Sequence, residues 1–195
     1  MLSEFLTRGS LSGTPTTEES AANTQQFLRF HLVPDTTALL PVHQMTEVLT
    51  IPIAQVVPIP DMPAWVMGVY NWRGEILWIV DLGHLVGLTP LYQQATSRPF
   101  YTAIVIHNAR QVRSSFGAAT LTQQQVGSQS TGRKLLGVVV NRVEDMEWCN
   151  PDLIQSPPPS ALSPELVPFL RGYWLKSNGE ILIVLDGNSI VAGMP

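Results

Sequence analysis

Charge and cysteine are both scarce in this sequence. Charged residues occupy 13% of its 195 positions, roughly half of the usual ~25%, and acidic residues outnumber basic ones to give a net charge of −4. This balance argues against a basic surface that binds nucleic acid. The single cysteine, Cys149, cannot form an internal disulfide, which favours a reducing compartment.

Long apolar segments and export signals are also missing. The longest apolar runs, Ile76–Val80 and Leu135–Val140, are far shorter than the ~20 residues of a membrane-spanning helix. The N-terminus carries Glu4 and Arg8 and lacks the apolar segment of a secretory signal. Hydrophobic residues nevertheless make up 45% of the chain, which is enough to build a core. We therefore expect a globular, cytoplasmic protein that does not insert into a membrane.

Short strands separated by proline and glycine dominate the remaining pattern. Residues 1–24 are rich in Ser, Thr and Glu, which predicts a disordered N-terminal tail followed by one domain over residues 25–192. Ser114–Thr131 has no charged residue and predicts a flexible insertion over residues 108–134. Strands are predicted at residues 27–32, 38–42, 67–72, 75–80, 101–107, 135–140, 172–175 and 180–185. Many short strands with few helices favour an all-β barrel or sandwich.

The sequence contains an internal near-repeat. The segment from Gly74 to Asp81 matches the segment from Gly179 to Asp186, with Gly, Glu, Ile, Leu and the final Asp shared at an offset of 105 residues. A fainter match, offset by 98 residues, pairs residues 39–48 with residues 137–146. Because the two matches keep the same order, they predict two similar β-units over about residues 25–95 and 98–195. The alternative is that buried strands after a turn resemble one another by chance.

Motifs for catalysis, metal binding or cofactor binding are absent from the sequence. No nucleophile elbow, P-loop or dinucleotide-binding glycine motif occurs, and the four histidines lack the spacing of metal ligands. Asp81 and Asp186 could be imagined as an acid/base pair. Each, however, follows a strand and precedes a short helical segment, so helix capping is the favoured interpretation. We therefore predict no enzymatic activity, no metal and no cofactor.

One turn carries the residues best suited to recognition. It lies between two predicted strands in Asn71-Trp72-Arg73-Gly74, where Gly74 supplies the positive φ that a tight turn needs. Arg73 at its tip would present a planar guanidinium with five donors to a carboxylate or carbonyl of a partner. A solvated turn arginine is the alternative. Trp72 and Trp78 flank the turn and are expected to pack in the core.

These residues resemble the CheW-like adaptor family of bacterial chemotaxis. The resemblance covers about residues 25–192, and its most specific part is the Asn71-x-Arg73-Gly74 turn followed by Ile79-Val80-Asp81-Leu82. Further matches are Phe30-x-Leu32, Leu40-Pro41-Val42-x-x-Met45-x-Glu47-Val48, Ile59-Pro60, Gly68-Val69 and Gly137-Val138-Val139-Val140-x-x-Val143.

The resemblance implies two small five-stranded β-barrels with short helices around a shared core. It also implies a non-catalytic adaptor that couples a methyl-accepting chemoreceptor to a CheA-type histidine kinase. Met45, Glu47, Gly68 and Arg73 are then receptor-binding candidates, carried over by position. Gly68 would permit close approach, Glu47 and Arg73 would supply oriented charge, and Met45 would supply an adaptable apolar contact. Kinase contact through the barrels is implied as well, without assigned residues.

At Trp72 and Trp78 the family usually has smaller apolar residues. With these two tryptophans, the sequence resembles the family members from cyanobacterial phototaxis and pilus-motility systems. The runner-up hypothesis is a small-ligand-binding or enzymatic β-barrel. Its pocket would be lined by the tryptophans Trp65, Trp72, Trp78, Trp148 and Trp174.

Overall fold

The computed structural model describes residues 23–95, 98–108, 134–156 and 163–194. Within these ranges the strands are β1 (Gln25–Leu32), β2 (Thr36–Pro41), β3 (Met45–Pro52), β4 (Val66–Trp72), β5 (Glu75–Asp81), β6 (Phe100–His107), β7 (Leu135–Val140), β8 (Arg142–Cys149), β9 (Leu170–Leu175) and β10 (Ile181–Leu185). The short helix α1 (Leu82–Leu85) follows β5 directly, and the short helix α2 (Gly187–Ala192) follows β10 after one residue. All eight predicted strands are present, and β3 and β8 are additional.

The strands form two five-stranded sheets, which confirms the all-β prediction and the strand number of each unit. Sheet A has the order β8-β1-β2-β10-β9, and sheet B has the order β3-β6-β7-β5-β4. Each sheet is antiparallel except for one parallel pair, β2–β10 in sheet A and β5–β7 in sheet B. Short turns join the antiparallel hairpins β1–β2, β4–β5 and β9–β10, whereas the parallel pairs join strands that are distant in sequence.

The prediction that each unit closes into a barrel was wrong. In the described ranges, the outer strands of a sheet do not pair with each other. The outer edge of β4 is instead occupied by Val57, which bridges to Val69, and that of β9 by Gln155, which bridges to Tyr173. Because Pro58 follows Val57 directly and has no amide donor, the bridge cannot extend into a closing strand at that residue.

The central strands carry buried apolar residues on both faces, which produces three apolar cores. The shared core lies between the sheets and contains residues of both, such as Leu28 and Phe30 of β1 and Ile104 of β6. Sheet B covers a core of its own around Leu77, and sheet A covers a third core around Phe27. Strand alternation explains this division, because adjacent residues of β1 point to opposite faces of sheet A.

The internal repeat is confirmed by the topology. Exchanging each of the strands β1 to β5 with its counterpart among β6 to β10 converts the order of sheet A into that of sheet B. The two repeats do not form one sheet each, however, because each contributes strands to both sheets. The hairpin β1–β2 pairs within the sheet that holds β8, β9 and β10, and the β6–β7 pair lies beside β3, β4 and β5. Each sheet therefore combines residues from both of the sequence segments 25–95 and 98–195.

The predicted tail over residues 1–24 and the predicted insertion over residues 108–134 lie almost entirely outside the described residues. Among the helices that the structure describes, none has the length and apolar character needed to cross a membrane.

Candidate functional site

The turn between β4 and β5 is a two-residue hairpin loop. Arg73 and Gly74 both have positive φ, at 55° and 85°, as a type I′ turn requires. The side-chain oxygen of Asn71 accepts a hydrogen bond from the Gly74 amide at 3.0 Å. The turn therefore holds Arg73 in a left-handed conformation that is unusual for a residue with a Cβ atom.

Arg73 is paired with Glu47 of β3. Its Nη2 lies 3.0 Å from Glu47 Oε1, and the Trp72 indole Nε1 donates to the same carboxylate oxygen at 2.9 Å. The guanidinium carbon also lies 4.9 Å from the centre of the Trp72 ring, within the range of a cation–π interaction. Because the Arg73 side chain remains 69% exposed, its ion pair adds little stability. The ion pair and the Trp72 ring together favour one direction of the guanidinium.

Gly68 is buried, and the group that approaches it belongs to the same chain. With φ at +139°, a Cβ atom built on Gly68 would lie only 2.2 Å from the carbonyl oxygen of Val57. Val57 and Val69 exchange two backbone hydrogen bonds of 2.9 Å across this contact. The glycine thus permits the close approach of residue 57 to β4 and supports the hairpin that carries Arg73.

Met45 lies at the start of β3 and is half-buried against the shared core. A bulge in the pairing of β3 with β6 separates it from Glu47. The structure therefore brings Glu47 and Arg73 together, and Gly68 supports the hairpin that carries Arg73. Met45 packs on the shared core, whereas Trp72, beside Arg73, packs on the core of sheet B. The contact of Trp72 with Glu47 is an addition to the sequence analysis, which predicted only core packing for Trp72; the ring also packs on the core of sheet B.

A second charged cluster joins β1, β8 and the turn between β9 and β10. Arg29 is its centre and contacts Glu144 at 2.6 Å, Glu147 at 3.1 Å and Glu180 at 2.6 Å, while its side chain is only 19% exposed. Lys176 adds a 2.8 Å contact to Glu147. Sequence analysis did not identify this cluster, although Arg29 lies between the apolar residues Leu28 and Phe30 of β1.

These contacts shift the ionisation of the carboxylates. The hydrogen bond from Lys176, which outweighs the opposing effect of burial, holds the pKa of Glu147 below its usual value, and Arg29 acts in the same direction. Burial alone would raise the pKa of Glu144, but the bonds and charges of His31 and Arg29 lower it. The cluster is therefore a set of ionised groups that anchors the edge strand β8 to its neighbours.

Comparison with known proteins shows the family to which this chain belongs. The family model described as "CheW-like domain" matches residues 26–193. This chain belongs to the CheW-like family. The CheW-like fold also matches the crystal structure of the scaffolding protein TtCheW from Thermoanaerobacter tengcongensis, with a TM-score of 0.58 and 18% identity over 83% of this chain and 88% of that chain. At this identity the match shows the fold alone. Curated proteins gave no match.

Membership of the CheW-like family makes the chain a chemotaxis scaffold or adaptor, and the family is non-catalytic. The two aspartates that could have formed an acid/base pair are helix caps in this CheW-like domain. Asp81 accepts the backbone amides of His84 and Leu91 at 3.1 and 2.7 Å, and Asp186 accepts that of Asn188 at 3.0 Å. The capping prediction is confirmed.

The tryptophans of the CheW-like domain do not line one pocket. Trp65 and Trp78 pack against the shared core, Trp72 against the core of sheet B, and Trp174 against the core of sheet A. Trp148 is 61% exposed. In the described part of the chain, no group of three or more His, Cys, Asp or Glu residues could hold a metal ion.

Proposed function

We propose that this CheW-like chain couples a methyl-accepting chemoreceptor to a CheA-type histidine kinase in the cytoplasm, without catalysing a reaction. The output is chemotaxis, phototaxis or twitching motility; the last two are supported by the resemblance at Trp72 and Trp78. The observation that carries the proposal is an exposed arginine held in one orientation by Glu47 and Trp72.

Arg73 is proposed as the main receptor contact. The contacts with Glu47 use one guanidinium nitrogen, Nη2, so Nε and Nη1 keep donors for a carboxylate or carbonyl of the receptor. A guanidinium that is already oriented loses less side-chain entropy on binding than a freely rotating one. The geometry therefore favours recognition of a defined acceptor over non-specific attraction.

The other candidates have supporting roles in this proposal. Glu47 orients Arg73 and contributes charge, and Gly68 keeps the hairpin closely packed against Val57. Met45 contributes a flexible apolar contact where β3 meets the shared core. We propose that the kinase packs against one of the two five-stranded sheets. No single residue is assigned to that contact.

Binding of the purified full chain to its receptor fragment and kinase, by biolayer interferometry, tests the proposal. Arg73→Glu is expected to weaken receptor binding about 30-fold or more, since reversing a desolvated charge costs on the order of 2 kcal/mol. Arg171→Glu is the matched control, because it reverses an exposed arginine of β9 in the other sheet. We expect this control to bind within about twofold of wild type, as surface charges do.

A charge swap separates contact from orientation. The double variant Glu47→Arg/Arg73→Glu can restore the internal ion pair but places the opposite charge towards the receptor. If Arg73 contacts the receptor, the double variant stays weak; recovery of binding would show that the ion pair acts only inside the protein. Failure of wild type to bind either the receptor or the kinase would end the proposal.

A further inference from the structure

A groove of about 340 Å³ opens on the side of sheet B that faces the shared core. Its lining includes Ile76 and Trp78 of β5, Leu136 of β7, Val191 of α2, and Met194, which follows the end of α2 by two residues. Four of these five side chains, all except that of Ile76, belong to the shared core or pack against it. The groove is therefore an opening at the margin of the apolar interior that joins the two sheets.

Most of the groove lies on the opposite face of sheet B from the contacts of Arg73; of its lining, Leu135 packs on the core of sheet B. Trp72, beside Arg73, packs on the core of sheet B, whereas Trp78 packs on the shared core. Strand alternation places Ile76 on the same face as Trp78. The groove is thus distinct from the proposed receptor site, and a binding role for it is independent of the proposed adaptor function.

Apolar surface is exposed at this place to an unusual degree. Ile76 is 74% exposed, the highest value among the large hydrophobic residues that the structure describes. A lone exposed isoleucine needs no explanation, but this one adjoins the half-buried Trp78 and Met194 in a concave surface. A contiguous apolar concavity of this kind is typical of a binding surface.

The strands beneath the groove are already paired on both sides. β5 lies between β4 and β7, and β7 lies between β5 and β6. A partner therefore finds no free strand edge here and cannot bind by adding a strand. Side chains inserted into the groove can still bind there, and an amphipathic helix presents its apolar side chains to a groove in this way.

The charge of the groove specifies the partner further. Lys134 is the one charged residue among those that line it, and it is exposed. A carboxylate beside the inserted apolar side chains would meet this ammonium group, whereas a basic residue would be repelled. We propose that the groove binds an amphipathic helix of a partner protein, with apolar anchors at one-turn spacing and an Asp or Glu next to them.

A library of amphipathic helices of about 18 residues, displayed on yeast and selected on the full wild-type chain, tests this proposal. Enriched helices are expected to carry apolar residues at i, i+3 or i+4 and i+7 and an acidic residue beside them. Their affinities are then measured by fluorescence anisotropy. Ile76→Arg is expected to weaken binding at least about tenfold, because it removes the burial of an isoleucine side chain.

Ile181→Arg is the matched control. Ile181 corresponds to Ile76 in the internal repeat, is 61% exposed and lies outside the groove. It should bind the selected helices within about twofold of wild type. Lys134→Glu should weaken the acidic helices, and replacing their carboxylate with lysine should restore affinity for this variant.

Three results would overturn the proposal. The first is no enrichment of any helix on the wild-type chain, and the second is equal binding to wild type and Ile76→Arg. The third is a wild-type dimer in sedimentation velocity that Ile76→Arg converts to a monomer, because the groove would then be filled by a second copy. Receptor binding of Ile76→Arg, measured in parallel, is expected to match wild type, because Ile76 lies on the opposite face of sheet B from Arg73, and this keeps the result separate from the receptor contact in the adaptor proposal.

Discussion

Replacing Gly68 with alanine is expected to destabilise the protein strongly. The new Cβ atom would lie 2.2 Å from the carbonyl oxygen and 2.6 Å from the carbonyl carbon of Val57. Both are backbone atoms, so no side-chain rotation can relieve the overlap. The chain around Val57 must move away from β4, and its two hydrogen bonds with Val69, both 2.9 Å long, must break.

The magnitude follows from these contacts. Two backbone hydrogen bonds contribute about 1 kcal/mol each, and an alanine held at a φ of +139° adds about 1 kcal/mol of backbone strain. We expect Gly68→Ala to lower the free energy of unfolding by about 3 kcal/mol. Gly74→Ala is the matched control, because φ there is also positive, at +85°, but no atom lies within 4 Å of the added Cβ. Its cost should be about 1 kcal/mol.

Urea unfolding, followed by tryptophan fluorescence, measures the difference between these two variants. We expect about 2 kcal/mol with an unchanged dependence on urea concentration. Equal stability of Gly68→Ala and Gly74→Ala would refute the reasoning. So would a loss of receptor binding in Gly68→Ala at full stability, since that result would make Gly68 a direct contact of the partner.

Three further predictions concern ionisation and capping. Because Lys176 holds the pKa of Glu147 below the ordinary value of 4.5, the unfolded state binds more protons and stability falls as pH drops below about 4.5; Glu147→Gln should flatten this loss in urea titrations from pH 6 to 3, and the exposed neighbour Asp145→Asn should not. Asp81→Ala removes an acceptor from two backbone amides and should cost about 2 kcal/mol in urea unfolding; a cost below about 0.5 kcal/mol would contradict its capping role. Burial raises the pKa of Cys149 to about 11, so its thiol should react with a chromogenic disulfide reagent at pH 8 only after unfolding; rapid reaction of the native protein would contradict this burial.

Most strands of this fold are visible in the sequence because apolar residues alternate or cluster between turn residues. The strands β3 and β8 were not predicted, and both are edges of their sheets. Edge strands carry charged side chains that discourage pairing with other molecules, so Glu47 in β3 and Glu144 and Glu147 in β8 interrupt the apolar pattern. The same charges form the ion pairs of the candidate site and of the Arg29 cluster.

The crossing of the two repeats could not be predicted from local pattern. Similar segments around Gly74 and Gly179 predict similar units, but they do not specify which hairpin pairs with which strand. That choice depends on long-range parallel pairs, such as Ala38 with Ile183 and Val80 with Val138, which bury a single core between the sheets. The prediction of closed barrels was wrong for a related reason. Val57 occupies the outer edge of β4, and its bridge to Val69 depends on a close contact at Gly68 that forms only in the folded chain.

The exposed tip of the β4–β5 turn was predicted, but its partner was not. Glu47 and Arg73 are separated by 26 positions, and Glu47 belongs to a strand that the apolar pattern does not show. The cation–π contact between Arg73 and Trp72 involves neighbours in sequence, and adjacent Trp and Arg residues at a turn were the available signal for it.

The crossed repeats determine how the two halves of this protein can move. Sheets A and B are not separate lobes on a flexible connector, because the central strands of each are continuous in sequence with the outer strands of the other. Rotating one sheet against the other would strain the two short connections between them, at residues 42–44 and at Asn141, and would expose the interior that both sheets share. The described connections between the sheets are too short to act as a hinge, so two proteins that docked on different sheets would keep a nearly constant angle to each other.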